Sequence, residues 1–183
     1  MAKKSMKLKN IISIKNKIVG MIDNSQAIKR YLVYLSDCPL AKRAKLENGE
    51  MIEQPNIEES LIDNYIIPYQ DYDKVISTNK ALILVHLSSG DLSDPVIGKN
   101  TLTIDIICPT KENMNVGEIG EERIATIADL ITDLIDEEKA GAGAITITGY
   151  EQYRIAKTPD YIGMTLFLNV ETSNLPAYNY KRR

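Results

Sequence analysis

Histidine occurs once in this chain of 183 residues, as His86, and cysteine twice, as Cys38 and Cys108. A structural zinc site draws about four ligands from these residue types, so the supply falls short. The two cysteines lie far apart, without a Cys-x-x-Cys spacing, and are read as reduced, buried, small apolar side chains in a cytosolic setting. No apolar run approaches the roughly 18 residues of a membrane span, so no membrane partner is expected. The opening Met1–Asn10 is basic, but the apolar stretch Ile11, Ile12, Ser13, Ile14 ends at Lys15 and Lys17. A signal peptide needs a longer uncharged core and a small-residue cleavage site, so the expectation is an intracellular protein. No internal repeat and no low-complexity tract is present.

A hydrophobic fraction of 44% and a charged fraction of 26% are ordinary for a soluble globular protein. The length suits one domain, 1–183, with a core over 11–171 and basic tails at 1–10 and 173–183. The formal net charge of −3 conceals a strong polarity. Residues 1–46 hold eleven Lys or Arg against Asp23 and Asp37, whereas 112–138 hold nine carboxylates against Arg123. Opposite fields on one molecule suit contacts between copies; neutralisation inside one chain is the simpler alternative.

Apolar residues recur at three- and four-residue steps from Ile11 through Ile14, Ile18, Ile22, Ile28 and Leu32 to Leu35, which predicts a helix with Lys15, Lys17, Lys29 and Arg30 on its other faces. Asp23-Asn-Ser25 is a point where that helix divides in two, because such side chains compete for backbone hydrogen bonds and cap helices. Residues 37–80 show no sustained period and are read as an extended loop or arm. Ala81–Ser88 and Thr101–Cys108 read as strands, the second with Leu102, Ile104 and Ile106 on one face and Thr101, Thr103 and Asp105 on the other. Gly117–Lys139 reads as a helix whose stripe includes Arg123, Ile124, Ile127, Ile131 and Leu134, and Gly141-Ala-Gly143 stops it. Ala144–Ala156 and Ile162–Thr172 are two further strands, with Met164, Leu166 and Leu168 alternating toward the core. The expected architecture is α+β: an antiparallel four-stranded sheet of two hairpins against two main helices. Its order is α-β-β-α-β-β, with a long loop after the first helix.

The chemistry-bearing residues form no catalytic constellation. A general acid/base or a triad would have to be built on His86, which lies on a strand between Val85 and Leu87 and reads as half-buried. Asp94, Asp105 and Glu112 offer carboxylates for a metal-dependent nuclease, but no Asp-x-Lys or Glu-x-Lys pair follows Asp105 to complete that chemistry. The glycine pairs at 117 and 120 and at 141 and 143 lack a Gly-Lys-Ser/Thr ending and read as helix boundaries. No cofactor, metal or catalytic residue is expected. The basic N-terminus supports at most non-specific nucleic-acid contact, since no recognition motif accompanies it.

The run Tyr65-Ile-Ile-Pro-Tyr-Gln-Asp-Tyr-Asp-Lys-Val-Ile-Ser-Thr-Asn-Lys-Ala-Leu-Ile-Leu-Val-His-Leu87, within the order of elements over 11–171, resembles the loop-into-first-strand region of tail-terminator and neck proteins of tailed bacteriophages. The resemblance implies a non-enzymatic virion protein, present in the host cytoplasm during assembly, that forms a homo-oligomeric ring, commonly hexameric. Such a ring caps the tail tube and joins it to the head, with tube and neck or connector proteins as partners. The chain departs from that pattern in its longer stretch 37–80, which leaves open whether it is the terminator or an adjacent neck or tail-completion component. The alternatives are a small cytosolic adaptor module and the nuclease above. The expected contact residues are Tyr65, Pro68, Tyr69 and Tyr72 of the arm, the cations Lys42, Arg43 and Lys45, and the carboxylates Asp129, Asp133 and Asp136.

Overall fold

Isoleucine spacing sets the first two elements. Ile11, Ile18 and Ile22 are buried along α1 (Lys7–Asn24), and Ile28 and Leu32 along α2 (Gln26–Val33). Ser25 divides them: its backbone is extended and its hydroxyl accepts from the Ile28 amide as an N-cap. The protein is seen in a computed structural model that describes residues 7–45, 48–71, 73, 80–91, 97–113, 122–137, 145–155 and 160–173.

Among the described residues seven strands and two further helices follow: β1 (Arg43–Lys45), β2 (Met51–Glu53), β3 (Ile66–Ile67), β4 (Leu82–Asp91), β5 (Ile97–Pro109), α3 (Thr110–Asn113), α4 (Arg123–Glu137), β6 (Ile145–Ile155) and β7 (Tyr161–Ser173). β1 and β2 pair antiparallel as a separate two-stranded ribbon. The other five form one sheet in the order β3-β4-β5-β7-β6, in which β3 runs parallel to β4 and the remaining pairs are antiparallel.

This corrects the expected architecture. The main sheet is mixed and five-stranded and a second sheet exists; the division of the first helix at Ser25 is as expected. All three unforeseen strands lie in 37–80, the stretch expected to be an arm. They have two or three residues each, too short for alternation to register in a sequence window. The strands at 81–88 and 101–108 also extend further than expected, to Asp91 and back to Ile97. Gly117, Gly120, Tyr72, Asp94 and the 141–143 segment lie outside the described residues.

Polar side chains of the helices hold the stretch from Ser36 to Leu61 against the body. Gln26 makes a reciprocal pair with the Ile57 backbone, donating to its carbonyl at 2.8 Å and accepting from its amide at 3.0 Å. Asp23 accepts from the Leu61 amide and the Ser60 hydroxyl, both at 2.7 Å. Lys29 and Arg30, expected on outer faces, are buried. Lys29 donates to the carbonyl of Glu59, and Arg30 to those of Pro39 and Ala41. Gln54, also buried, donates to the carbonyls of Cys38 and Ala41 and accepts from the Ser36 hydroxyl. Irregular backbone can be packed in this way only when its carbonyls find donors.

The sheet has two unlike faces. Ile83, Val85, Leu102, Ile104, Ile106, Met164, Leu166 and Leu168 join the cluster that contains Ile124, Ile127 and Ile131 of α4 and the apolar residues of α1 and α2. On the opposite face a smaller cluster of Ile67, Leu82, Leu84, Ile107 and Tyr161 occupies one end. There Tyr153 lies across Gly163, its cross-strand partner, in the space a Cβ would take.

Candidate functional site

α4 buries Ile124, Ile127, Ile131 and Ile135 and leaves Asp129, Asp133 and Asp136 exposed. The three carboxylates recur at four- and three-residue steps and so make one row along the helix. Beside that row the helix and β6 diverge, leaving an open groove of about 710 Å³. Its floor is apolar (Ala125, Ala128, Ile147, Met164 and Leu166), and Glu122 and Asp129 are among its other lining residues. Gln152 of β6 donates to Glu122 at 3.1 Å across one end. Tyr150, 71% exposed, is also part of the lining. β6 ends the sheet, with β7 its sole strand partner among the described residues.

Lys42, Arg43 and Lys45 lie on or beside the β1–β2 ribbon and are exposed. Ribbon register places Arg43 opposite Glu53, with a 2.9 Å ion pair between them, and Lys45 opposite Met51. Met51 is 58% exposed.

The residues expected in the arm are not grouped with either surface. Tyr65 is half-buried, packs against both apolar clusters and carries Lys80 over its ring at 4.7 Å. Pro68 is half-buried, and its carbonyl accepts from Lys15 at 2.7 Å. Tyr69 is open to solvent, and Tyr72 lies outside the described residues.

A polar cluster occupies the middle of the sheet's second face. Asp105, 2% exposed, faces the His86 Nε2 at 3.0 Å and accepts from the Thr165 hydroxyl; Thr103, directly across the ladder from His86, has its hydroxyl 3.1 Å from the ring nitrogens. The arrangement holds the β4 imidazole against β5, with the buried carboxylate contacting both His86 of β4 and the Thr165 hydroxyl of β7. Asp94 and the side chain of Glu112 lie outside the described residues, among which no three His, Cys, Asp or Glu side chains converge. Replacing Asp105 by Ala strands the His86 and Thr165 donors and is expected to lower unfolding free energy by roughly 2–3 kcal/mol. A loss under about 0.5 kcal/mol in urea titration would show that water replaces the carboxylate without penalty.

A family model described as YomW matches residues 25–170. The chain belongs to the YomW family. The YomW match begins at the cap of α2 and ends on β7, so it takes in the ribbon, the groove and the His86–Asp105 cluster. YomW is the name of a Bacillus phage-region gene. No curated protein matches it.

Proposed function

We propose that this YomW-family chain is a non-enzymatic structural protein of the phage neck, forming a homo-oligomeric ring that ends the tail tube and joins it to the head. The supporting observation is the separation of exposed charge on one fold: Lys42, Arg43 and Lys45 at the ribbon, and Asp129, Asp133 and Asp136 on α4. On a chain whose family carries the name of a phage-region gene, two complementary patches at different places favour a heterologous contact, in which each subunit uses one patch toward each neighbour and the series closes into a ring. The tail tube and the connector are the expected further partners, the virion the expected location, and nucleic-acid contact at most non-specific.

Native mass and sedimentation test this reading. The wild-type protein is expected to run as a closed oligomer that weakens with salt, because exposed charges are screened over about 8 Å at 0.15 M. The combined variant Asp129→Lys, Asp133→Lys, Asp136→Lys should stay folded, since all three side chains are exposed, and lose at least about tenfold in assembly affinity. A monomer at every protein concentration and salt would end the ring proposal. A triple variant that assembles as the wild type does would place these carboxylates outside the contact.

A further inference from the structure

The groove between α4 and β6 has an apolar floor and acidic residues on the helix beside it, and no ribbon residue of the same chain lines it. Such a floor has room for one apolar side chain from a partner. The ribbon has the opposite character. It is a short antiparallel pair held apart from the main sheet, with a large apolar side chain, Met51, opposite Lys45 in its register and Lys42 and Arg43 close by. Methionine is unbranched and polarizable, and fits irregular apolar hollows.

We propose that the α4–β6 groove of one subunit receives the β1–β2 ribbon of the next copy, with Met51 seated on the apolar floor and the ribbon cations facing Asp129 and Asp136. This deepens the homo-oligomer reading and rests on it. Charge complementarity selects the occupant. Asp129 lines the groove and Asp136, two turns on, continues the same row, whereas the ribbon presents Lys42 and Lys45 with Arg43 partly neutralised by Glu53. Seating Met51 would bury its exposed surface and supply the part of the contact that salt does not screen. The ion pairs would fix orientation and direction around the ring.

Cysteine pairing tests the contact. In a Cys38→Ser background, one copy carries Met51→Cys and a separately tagged copy carries Ala125→Cys on the groove floor. The two are mixed and oxidised with copper–phenanthroline. The expected product is a mixed disulfide between the two tags, at least fivefold more abundant than from a control pairing Met51→Cys with Ile12→Cys on the exposed side of α1. Met51→Glu should separately weaken assembly by at least about tenfold, and Ile12→Glu on the exposed side of α1 should leave it unchanged. An oligomer of normal mass with no excess of mixed disulfide overturns the groove contact and leaves the ring reading standing. A monomeric native mass overturns both. A chain carrying both cysteines that closes its disulfide as a monomer shows the ribbon folding onto its own groove, which also overturns the contact between copies.

Discussion

Replacing Arg123 by Met is expected to remove about 3–5 kcal/mol of stability, enough to leave a domain of ordinary stability marginal or unfolded. Arg123 opens α4 and is 1% exposed. One guanidinium nitrogen donates to the carbonyls of Tyr31 and Tyr34 at 2.8 and 3.0 Å, and the other to that of Ser36 at 2.9 Å. The Tyr31 carbonyl belongs to the last turn of α2, where no backbone donor follows and partial negative charge accumulates. Methionine fills much of the volume but leaves three carbonyls in a dry place without those donors, and each costs about 1–3 kcal/mol. Arg123→Lys should recover only part of the loss, because an ammonium cannot reproduce the planar fork. Urea titration measures both, read as a shift of the midpoint at constant slope. A shift equivalent to less than 1 kcal/mol for the methionine variant would mean that the fork is replaceable by water.

Ile131→Asp is expected to abolish soluble folding. Ile131 is fully buried in the cluster that α4 shares with β5 and β7. A carboxylate there finds no water, and either its desolvation or its protonation costs several kcal/mol of a total of roughly 5–15. Ile131→Val serves as the graded control, with an expected loss of about 0.5–1.5 kcal/mol from one methylene and a small cavity. Recovery of Ile131→Asp as a soluble, cooperatively unfolding protein would show that α4 can rotate the position outward, contrary to its place in the core.

The long strands and α4 were legible because burial on one face writes itself into the chain as alternation or as a three-four period. Leu102, Ile104 and Ile106 on β5, and Met164, Leu166 and Leu168 on β7, are read correctly from spacing alone. The order of the described backbone between Ser36 and Leu61 was not legible for a physical reason. It comes from Asp23, Gln26, Lys29 and Arg30 reaching backbone carbonyls and amides, an interaction with no periodic signature. Charged residues on a helix normally mark its solvated side, so Lys29 and Arg30 gave the opposite signal to their true one. The candidate site was legible in composition, as a basic region and an acidic helix, but not in shape. The groove exists because β6 lies one strand beyond the reach of α4, and strand order is not encoded in local pattern. His86 and Asp105 were each noticed singly; their meeting depends on the β4–β5 register, which shifts at a bulge between Leu87 and Ser89 that local pattern does not announce.

Strand order also governs how the fold can be made. Among the described residues β7 is the last strand in sequence, yet it lies inside the sheet, between β5 and β6. While the chain is still emerging from the ribosome, β6 therefore has no partner, and the β5 edge that will accept β7 is bare. Such unpaired edges template misassembly, and non-local pairing of this kind is slow to reward the entropy it costs. Completion of the core then waits until β7 has been made. A stop codon placed just before β7 would cost the sheet two strands, not one.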